Sequence, residues 1–219
     1  MSYEPDVHPG DPPSIRDLDA LTIHKLSVSS MSNNVYLLTS RASGAQLLID
    51  AAAEPGLLVD LVRTGGTGLT ALVTTHRHWD HHRALADICA AFSPMTYAGA
   101  PDASALPVAP DVRLEQGDVV TFGDISLDVI RLTGHTPGSV ALAYSDPRGH
   151  VHLFTGDCLF PGGPGRTTRL EDFTSLMDDL EERVFGVYAD DTDVYPGHGT
   201  DTTVGAERPH LDEWRARGW

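Results

Sequence analysis

The chain has 219 residues, a length that fits one domain with a sizeable hydrophobic core. Its formal net charge is −16, from 31 acidic and 15 basic residues, so its surface repels nucleic acid and anionic membranes. No apolar run approaches the ~20 residues of a membrane-spanning helix, and the first residues lack the pattern of a secretory signal. Two cysteines are too few for a disulfide framework. These features indicate a cytoplasmic protein with neither nucleic acid nor a membrane as its partner.

Turn residues divide the chain into short apolar segments. Residues 1–20 are polar and rich in proline, which predicts an irregular arm, and residues 21–219 are expected to form a single domain. The first half predicts strands at 34–40, 45–51, 69–75 and 95–100, and helices at 55–65 and 82–92. The second half predicts two strands within 118–134, strands at 139–146, 150–157 and 192–199, and a helix at 170–185 with a Thr168/Glu171 capping box. This order favours two packed sheets with helices outside over one doubly wound parallel sheet.

Four histidines and one aspartate lie within residues 76–82. His76 and His78 are two positions apart at a predicted strand end, so their side chains project the same way from extended backbone. Asp80 and His81 follow where a helix is expected to begin, so they project from a different backbone geometry. Neutral imidazoles and carboxylates bind Zn²⁺ or Fe²⁺, and a bound ion keeps crowded rings neutral. The stretch predicts two pairs of ligands for two neighbouring ions, with a solvated His-rich loop as the alternative.

Three later strand ends carry one ligand-type residue each. His135 lies in "LTGHTPGS", Asp157 in "LFTGDCLF" and His198 in "VYPGHGT". Neighbouring glycines let the backbone turn sharply at each position. Any one of these residues alone is typical of an ordinary turn. Together with the cluster at residues 76–82, they favour a metal site over a His-rich loop.

The complete set of ligand-type residues resembles the motif set of the metallo-β-lactamase superfamily, in order and spacing, from about Asn33 to Glu207. The resemblance implies an α/β fold, a four-layer αββα sandwich of two mixed sheets with helices outside and a metal site at one sheet edge. It implies two divalent metal ions, with zinc favoured and iron or manganese as alternatives. By position, one ion would be held by His76, His78 and His135, the other by Asp80, His81 and His198, with Asp157 bridging them.

The segments "GHTPGS", "GDCLFPGGPGRT" and "PGHGTDTTVGAER" look most like the small glyoxalase II-like (hydroxyacylglutathione hydrolase-like) branch. The resemblance therefore implies a binuclear metallo-hydrolase in which a metal-bound hydroxide attacks a thioester or a related activated ester. The substrate would be a small acyl-thiol conjugate, and Asp80 would be the catalytic residue that orients the hydroxide. The chain departs from this branch at His82 and Arg83, where small residues usually follow the Asp-His pair. It also ends soon after Trp214, without the long C-terminal helical region of full-length glyoxalase II.

Residues beside the ligands are candidates for substrate binding. Arg166 follows a Gly-rich loop of the kind that brings side chains over a site, so we predict that it contacts substrate. Trp79 lies between ligand candidates and is kept as a substrate contact, although packing behind the metal loop is the favoured interpretation. His82 is predicted to lie outside the coordination shell, and Cys158 to be buried behind the site. The single lysine, Lys25, is assigned no functional role.

Other functions on the same fold remain open. An iron-dependent persulfide dioxygenase would use His76, His135 and Asp157 around one iron. Those relatives often have cysteine at the position of Ser139, which argues against this function. A β-lactamase is disfavoured because the chain shows no export signal and Asp80 departs from the usual lactamase second site. A nuclease would need an inserted domain and a basic surface, and a non-catalytic binding protein would be expected to lack some ligands.

Overall fold

The structure is a computed structural model that describes residues 3–218. The first sheet has seven strands in chain order: β1 (Ser14–Asp17), β2 (Leu21–Val28), β3 (Asn33–Ser40), β4 (Ala45–Ile49), β5 (Gly68–Thr74), β6 (Met95–Gly99) and β7 (Val112–Leu114). Strands β1 to β4 are antiparallel, and β4 to β7 are parallel. Between these strands lie the helices α1 (Pro55–Arg63) and α2 (Leu85–Phe92).

The second sheet comes from the second half of the chain. Its strands are β8 (Val119–Phe122), β9 (Ile125–Arg131), β10 (Val140–Ser145), β11 (Val151–Gly156), β14 (Asp193–Pro196) and β15 (Thr202–Thr203), and a separate small hairpin joins β12 (Leu159–Phe160) to β13 (Gly163–Pro164). The spatial order is β15-β14-β11-β10-β9-β8, and the β11–β14 pair is parallel. Three helices follow the hairpin or end the chain: α3 (Leu170–Leu180), α4 (Val204–Glu207) and α5 (Leu211–Arg217).

Three buried apolar clusters define the layers. The central cluster joins the facing sheets, with Leu38 of β3 on one side and Phe154 of β11 on the other. A second cluster packs α1 and α2 against the outer face of the first sheet through residues such as Leu58. The third packs α3 and α5 against the second sheet through residues such as Leu176 and Trp214. The order is helix, sheet, sheet, helix, so the predicted αββα sandwich with two mixed sheets is confirmed.

The position of each strand explains its sequence pattern. Residues 35–38 of β3 and 45–49 of β4 are buried throughout, because one face meets the second sheet and the other meets the helices. Strand β9 alternates buried Ile125, Leu127 and Val129 with exposed Ser126 and Asp128. The continuous runs therefore mark the middle of the sandwich, and the alternation marks a strand with one open face.

Several predicted element boundaries are wrong. The helix predicted from residue 82 begins at Leu85, because Trp79–His81 form a separate 3₁₀ turn. The helix predicted to residue 185 ends as an α-helix at Leu180 and continues as a π-helical turn over Glu181–Phe185. Both corrections lie where an α-helix adjoins a helical turn of another type.

One prediction near the chain surface also fails, and the structure adds a short strand to another predicted segment. The Thr168/Glu171 capping box is absent, because Arg169 is the N-cap residue of α3 and Glu171 pairs with its guanidinium at 3.0 Å. The irregular arm predicted over residues 1–20 includes β1, which pairs antiparallel with β2. Pairing with β1 satisfies the backbone of β2, which would otherwise be the edge of the sheet. Within residues 3–218, no helix is long and apolar enough to cross a membrane.

Candidate metal centre

The loop after β5 carries four of the predicted ligands. His76 is buried and its Nε2 lies 3.1 Å from Nδ1 of His78. The following 3₁₀ turn then reverses the chain and places Asp80 and His81 inside the protein. The His76 and His81 rings approach to 4.2 Å between centroids. One short loop therefore brings four ligand-type side chains close together.

Three other loops reach the same edge of the sandwich. His135 lies between β9 and β10, Asp157 directly follows β11, and His198 follows β14. The candidate ligand atoms form three groups, each within 4.8 Å: His76, His78 and His135; Asp80, His81 and His198; and His76, His81 and Asp157. The structure thus brings all seven sequence-predicted residues into one cluster.

Asp157 lies between the two His groups. Its Oδ2 is 3.6 Å from Nε2 of His135 and 3.4 Å from Nε2 of His198, while its Oδ1 is 3.4 Å from Nε2 of His81. Two glycines allow this close packing. A Cβ at Gly165 would lie 1.6 Å from the Asp157 carbonyl oxygen, and a Cβ at Gly197 would lie 2.1 Å from Asp157 Oδ1. Larger residues at either position would displace the carboxylate that joins the groups.

Hydrogen bonds fix the orientation of the imidazole rings. Nδ1 of His135 lies 2.7 Å from the Arg166 carbonyl oxygen, and Nδ1 of His198 lies 2.9 Å from the Met31 carbonyl oxygen. Nδ1 of His81 lies 2.9 Å from Oδ2 of Asp50. When Nδ1 donates to these acceptors, Nε2 is left as a lone-pair donor pointing into the cluster.

The histidines of the two groups differ in the direction in which their pKa values are shifted. Burial lowers the pKa of His76, His78 and His135, so these rings are neutral. Burial also lowers the pKa of His81, but the Asp157 and Asp50 carboxylates outweigh it and raise that pKa to about 10. Burial raises the pKa of Asp157, yet the neighbouring His198 and His81 rings hold it well below its usual range. The carboxylates therefore attract positive charge, which either a proton or a metal cation can supply.

The cluster fits a pair of divalent cations. Nε2 of His135 and Oδ1 of Asp157 are buried and have no hydrogen-bond partner, which is costly unless another group satisfies them. Nε2 of His81 and Nε2 of His198 face each other at 3.1 Å. Imidazole nitrogens and carboxylate oxygens form a donor set that suits zinc or iron.

A fourth His/Asp group lies elsewhere and differs in its charge. His150, His152 and Asp193 also bring their ligand-type atoms within 4.8 Å. However, the Arg16 guanidinium already lies 2.7 Å from Asp193 Oδ2, and His150 Nε2 lies 2.8 Å from the same oxygen. Because Arg16 supplies the cation, we interpret this group as an ion-pair network.

The remaining sequence candidates lie around the cluster. His82 is outside the three groups at this site, and its Nε2 lies 3.1 Å from the Arg77 carbonyl oxygen. Trp79 is 58% exposed, so packing behind the metal loop is the wrong interpretation. The guanidinium of Arg83 lies over the Trp79 ring at 4.7 Å. Arg166 is exposed, and Cys158 is buried as predicted.

Sequence reasoning missed three residues that support the ligands. Asp50 accepts the Thr75 backbone N–H at 2.7 Å and contacts His81. Asn33 donates from Nδ2 to Oδ2 of Asp80 at 2.9 Å. Lys25 is fully buried and donates to the Gly199 carbonyl oxygen at 2.8 Å, just after His198. Each is a buried polar residue within a strand or directly after one, and its partner lies far away in the sequence, so no local signal marks it.

We expect Asp50→Ala to weaken metal binding about 10- to 100-fold, because His81 then loses the acceptor that orients its ring. Thr75 loses an acceptor in the same variant, so circular dichroism should first establish that the fold is retained. Metal titration of the purified variant would measure the effect. Wild-type affinity in a folded Asp50→Ala variant would contradict the proposed role of Asp50.

The αββα sandwich and its His/Asp centre define a class of metal-binding proteins. Residues 30–198 match the family model described as the metallo-beta-lactamase superfamily, and the chain belongs to that superfamily. This confirms the family indicated by the motif set.

Relatives place the chain near one branch of the family. A hydroxyacylglutathione hydrolase from Bdellovibrio bacteriovorus is 36% identical over 134 residues, 61% of this chain and 51% of that protein. One from Gloeobacter violaceus is 35% identical over 147 residues, 67% of this chain and 56% of that protein. The chain thus spans about half the length of the curated relatives that it matches. The glyoxalase II-like resemblance predicted from the sequence is confirmed at this level.

Solved structures share the fold. ETHE1 from Myxococcus xanthus has a TM-score of 0.77 and 29% identity, covering 86% of this chain and 82% of that chain. TTHA1623, crystallised in a di-iron-bound form, has a TM-score of 0.68 and 31% identity, covering 84% of this chain and 96% of that chain. Both similarities extend over more than four fifths of this chain.

Proposed function

We propose that the protein is a binuclear metal-dependent hydrolase that cleaves a small thioester or a related activated ester. The observation that carries this proposal is the convergence of seven predicted ligands into two groups linked by Asp157. The di-iron form of TTHA1623 supports a two-ion site, and the hydroxyacylglutathione hydrolases support the reaction class. We propose zinc as the native metal, with iron or manganese as alternatives.

In this proposal, His76, His78 and His135 would hold one ion, and Asp80, His81 and His198 would hold the other. Asp157, whose oxygens lie between the two groups, would serve both. When bound, a divalent ion at such a site acidifies a water molecule and polarises a carbonyl oxygen. The role of each ligand residue in the reaction is therefore to keep its nitrogen or oxygen atom in the position that an ion requires.

Asp80 is the proposed catalytic residue. Burial raises its pKa, but the Asn33 amide and the His81 ring hold that pKa below its usual value, so it is a carboxylate. Its Oδ2 lies 3.4 Å from Nε2 of His198, inside the cluster. We propose that the carboxylate orients the attacking water. A thiolate leaving group needs little acid assistance, because a thiol has a pKa of about 8.5.

A cleft of about 430 Å³ opens beside His135 and fits a small substrate. Arg77, Thr168 and Arg169 are among its lining residues. We propose that an acyl-thiol conjugate enters here, with the exposed Arg166 and Trp79 as further contacts. The net charge of −16 supports a small-molecule partner over nucleic acid.

The test measures metal content and hydrolysis together. We expect the metal-replete protein to hold about two divalent ions by mass spectrometry and to turn over a thioester in a panel that includes lactones, β-lactams and persulfides. His78→Ala should lower thioester turnover by about 100-fold or more, because one ligand of the first group is lost. His82→Ala is the matched control and should stay within roughly twofold of wild type, since His82 lies outside the cluster. Unchanged turnover in His78→Ala would reject the proposed function.

A persulfide dioxygenase remains the second candidate. His76, His135 and Asp157 would form its two-His, one-carboxylate set around a single iron, and Nε2 of His76 and Nε2 of His135 lie 4.0 Å and 3.6 Å from Asp157 Oδ2. One iron per chain with oxygen uptake on a persulfide would favour this function over the hydrolase.

A further inference from the structure

We infer that Asp102 is a positioning residue that holds the His76/His78 loop and the His135 loop in register for the first metal ion. The inference rests on the ligand assignment in the proposed function and is independent of the substrate. Asp102 follows β6, which lies beside β5 in the first sheet, and its side chain is fully buried. A carboxylate without solvent is costly unless its oxygens are fully hydrogen-bonded.

The first contact of Asp102 is with the loop after β5. Its Oδ2 accepts the backbone N–H of Arg77 at 3.0 Å, and Arg77 stands between His76 and His78. Nε of the Arg77 side chain also lies 3.7 Å from Oδ1. The Asp102 carboxylate therefore holds the backbone of Arg77, and that backbone sets the spacing of the His76 and His78 rings.

The second contact is with the loop between β9 and β10. The Thr136 hydroxyl donates to Oδ2 of Asp102, and Thr136 directly follows His135. Oδ1 accepts the backbone N–H of Gly138 at 3.0 Å. One side chain therefore bonds to both chain segments that carry the first ligand group, although about 60 residues separate them in the sequence.

The packing around Asp102 leaves little room for adjustment. A Cβ at Gly138 would lie 2.8 Å from both Cβ and Cγ of Asp102, and a Cβ at Gly99 would lie 1.9 Å from the Gly138 carbonyl oxygen. The loop between β9 and β10 packs closely against the end of β6, so that strand determines the position of the loop. In contrast, Asn33 and Lys25 contact the second ligand group, while Asp50 contacts His81 and also Thr75, the neighbour of His76. Because Asp102 contacts only the loops of the first group, we expect its replacement to weaken the binding of one ion and not the other.

The test replaces Asp102 and measures binding at each ion site. Asn has one acceptor oxygen and an NH₂ group, so Asp102→Asn places donors against a backbone N–H or a hydroxyl. We expect Asp102→Asn to bind one ion about 10- to 100-fold more weakly and the other with wild-type affinity in a Co²⁺ titration. Thr136→Val removes the hydroxyl donor with little change of shape and should shift binding in the same direction.

Double variants identify which ion is affected. Adding His78→Ala to Asp102→Asn should lower metal affinity little beyond the loss in His78→Ala alone. Adding His198→Ala to Asp102→Asn should weaken the binding of both ions. Asp111→Asn is the matched control, because Asp111 also accepts a threonine hydroxyl and backbone N–H, from Thr96, but has no hydrogen bond with the ligand loops. It should bind both ions as wild type does.

Two results would overturn the inference, and they are distinguishable from failure of the proposed function. If wild type binds two ions and both folded variants, Asp102→Asn and Thr136→Val, bind them with unchanged affinity, Asp102 has no positioning role. If Asp102→Asn weakens the binding of both ions equally, Asp102 has a general structural role. If wild type binds no ion at all, the ligand assignment itself is wrong and the inference falls with it.

Discussion

Asp157→Asn is expected to lose both metal ions and to hydrolyse a thioester at least about 10³-fold more slowly than wild type. The Asp157 carboxylate reaches both His groups, with ring nitrogens of His81, His135 and His198 at 3.4 to 3.6 Å. Asparagine is neutral and presents an NH₂ group where one of these contacts needs an oxygen. Loss of a Lewis acid costs several kcal/mol of transition-state stabilisation, and each 1.36 kcal/mol is tenfold in rate.

A matched control separates the metal effect from the loss of a carboxylate. Asp193 also lies with two histidines, but Arg16 pairs with it at 2.7 Å. Asp193→Asn should therefore keep about two ions, while Asp157→Asn should keep none in the same mass-spectrometric measurement. Retention of both ions by Asp157→Asn would show that Asp157 does not join the two groups.

The ligand-type residues were predictable because their sequence positions carry two signals. Each lies at or just after a strand end, and glycines stand beside His135, Asp157 and His198. In a two-sheet sandwich, loops at the same edge lie close together, so several strand ends that carry ligand-type residues indicate one shared metal site. The order of the segments, strands, helix, strand, then strands and helix again, predicts two packed sheets with helices outside, and the resemblance to the family supplies the four-layer αββα order.

The supporting residues could not be predicted from local patterns. Asp50 lies 31 positions from His81, and Lys25 contacts Asp201 from 176 positions away. Such pairs depend on which strands become neighbours, which periodicity does not specify. The sequence pattern indicates no role for Lys25, yet its ammonium is buried against Asp201 and the carbonyl oxygen of Gly199.

Local patterns gave the wrong prediction at two positions where a nearby arginine contacts the side chain. Thr168 and Glu171 have capping-box spacing, but Arg169 takes the N-cap position and pairs with Glu171 and Asp172. Trp79 is apolar and flanked by predicted ligands, yet it lies outside with Arg83 over its ring. In both cases an arginine contacts the residue concerned, and hydrophobic periodicity does not predict such a contact.

Removal of the metal ions is expected to lower the melting temperature by about 10 °C for each tightly bound ion. An ion present at about 1,000 times its Kd stabilises the folded state by roughly 4 kcal/mol, because the unfolded chain does not hold the ligands together. For a chain of this size, each kcal/mol shifts the melting temperature by about 2–4 °C. Four loops meet at the cluster, so the ions also cross-link segments that are distant in the sequence.

The measurement is thermal unfolding of wild type and Asp157→Asn, each with a chelator and with added Zn²⁺. Wild type should show the full shift, and Asp157→Asn should show little, because it lacks the carboxylate that joins the two groups. Asp193→Asn should shift as wild type does, even if its own melting temperature is lower from loss of the Arg16 ion pair. A melting temperature of wild type that is independent of metal would mean that the seven residues hold no ion tightly, whatever their geometry.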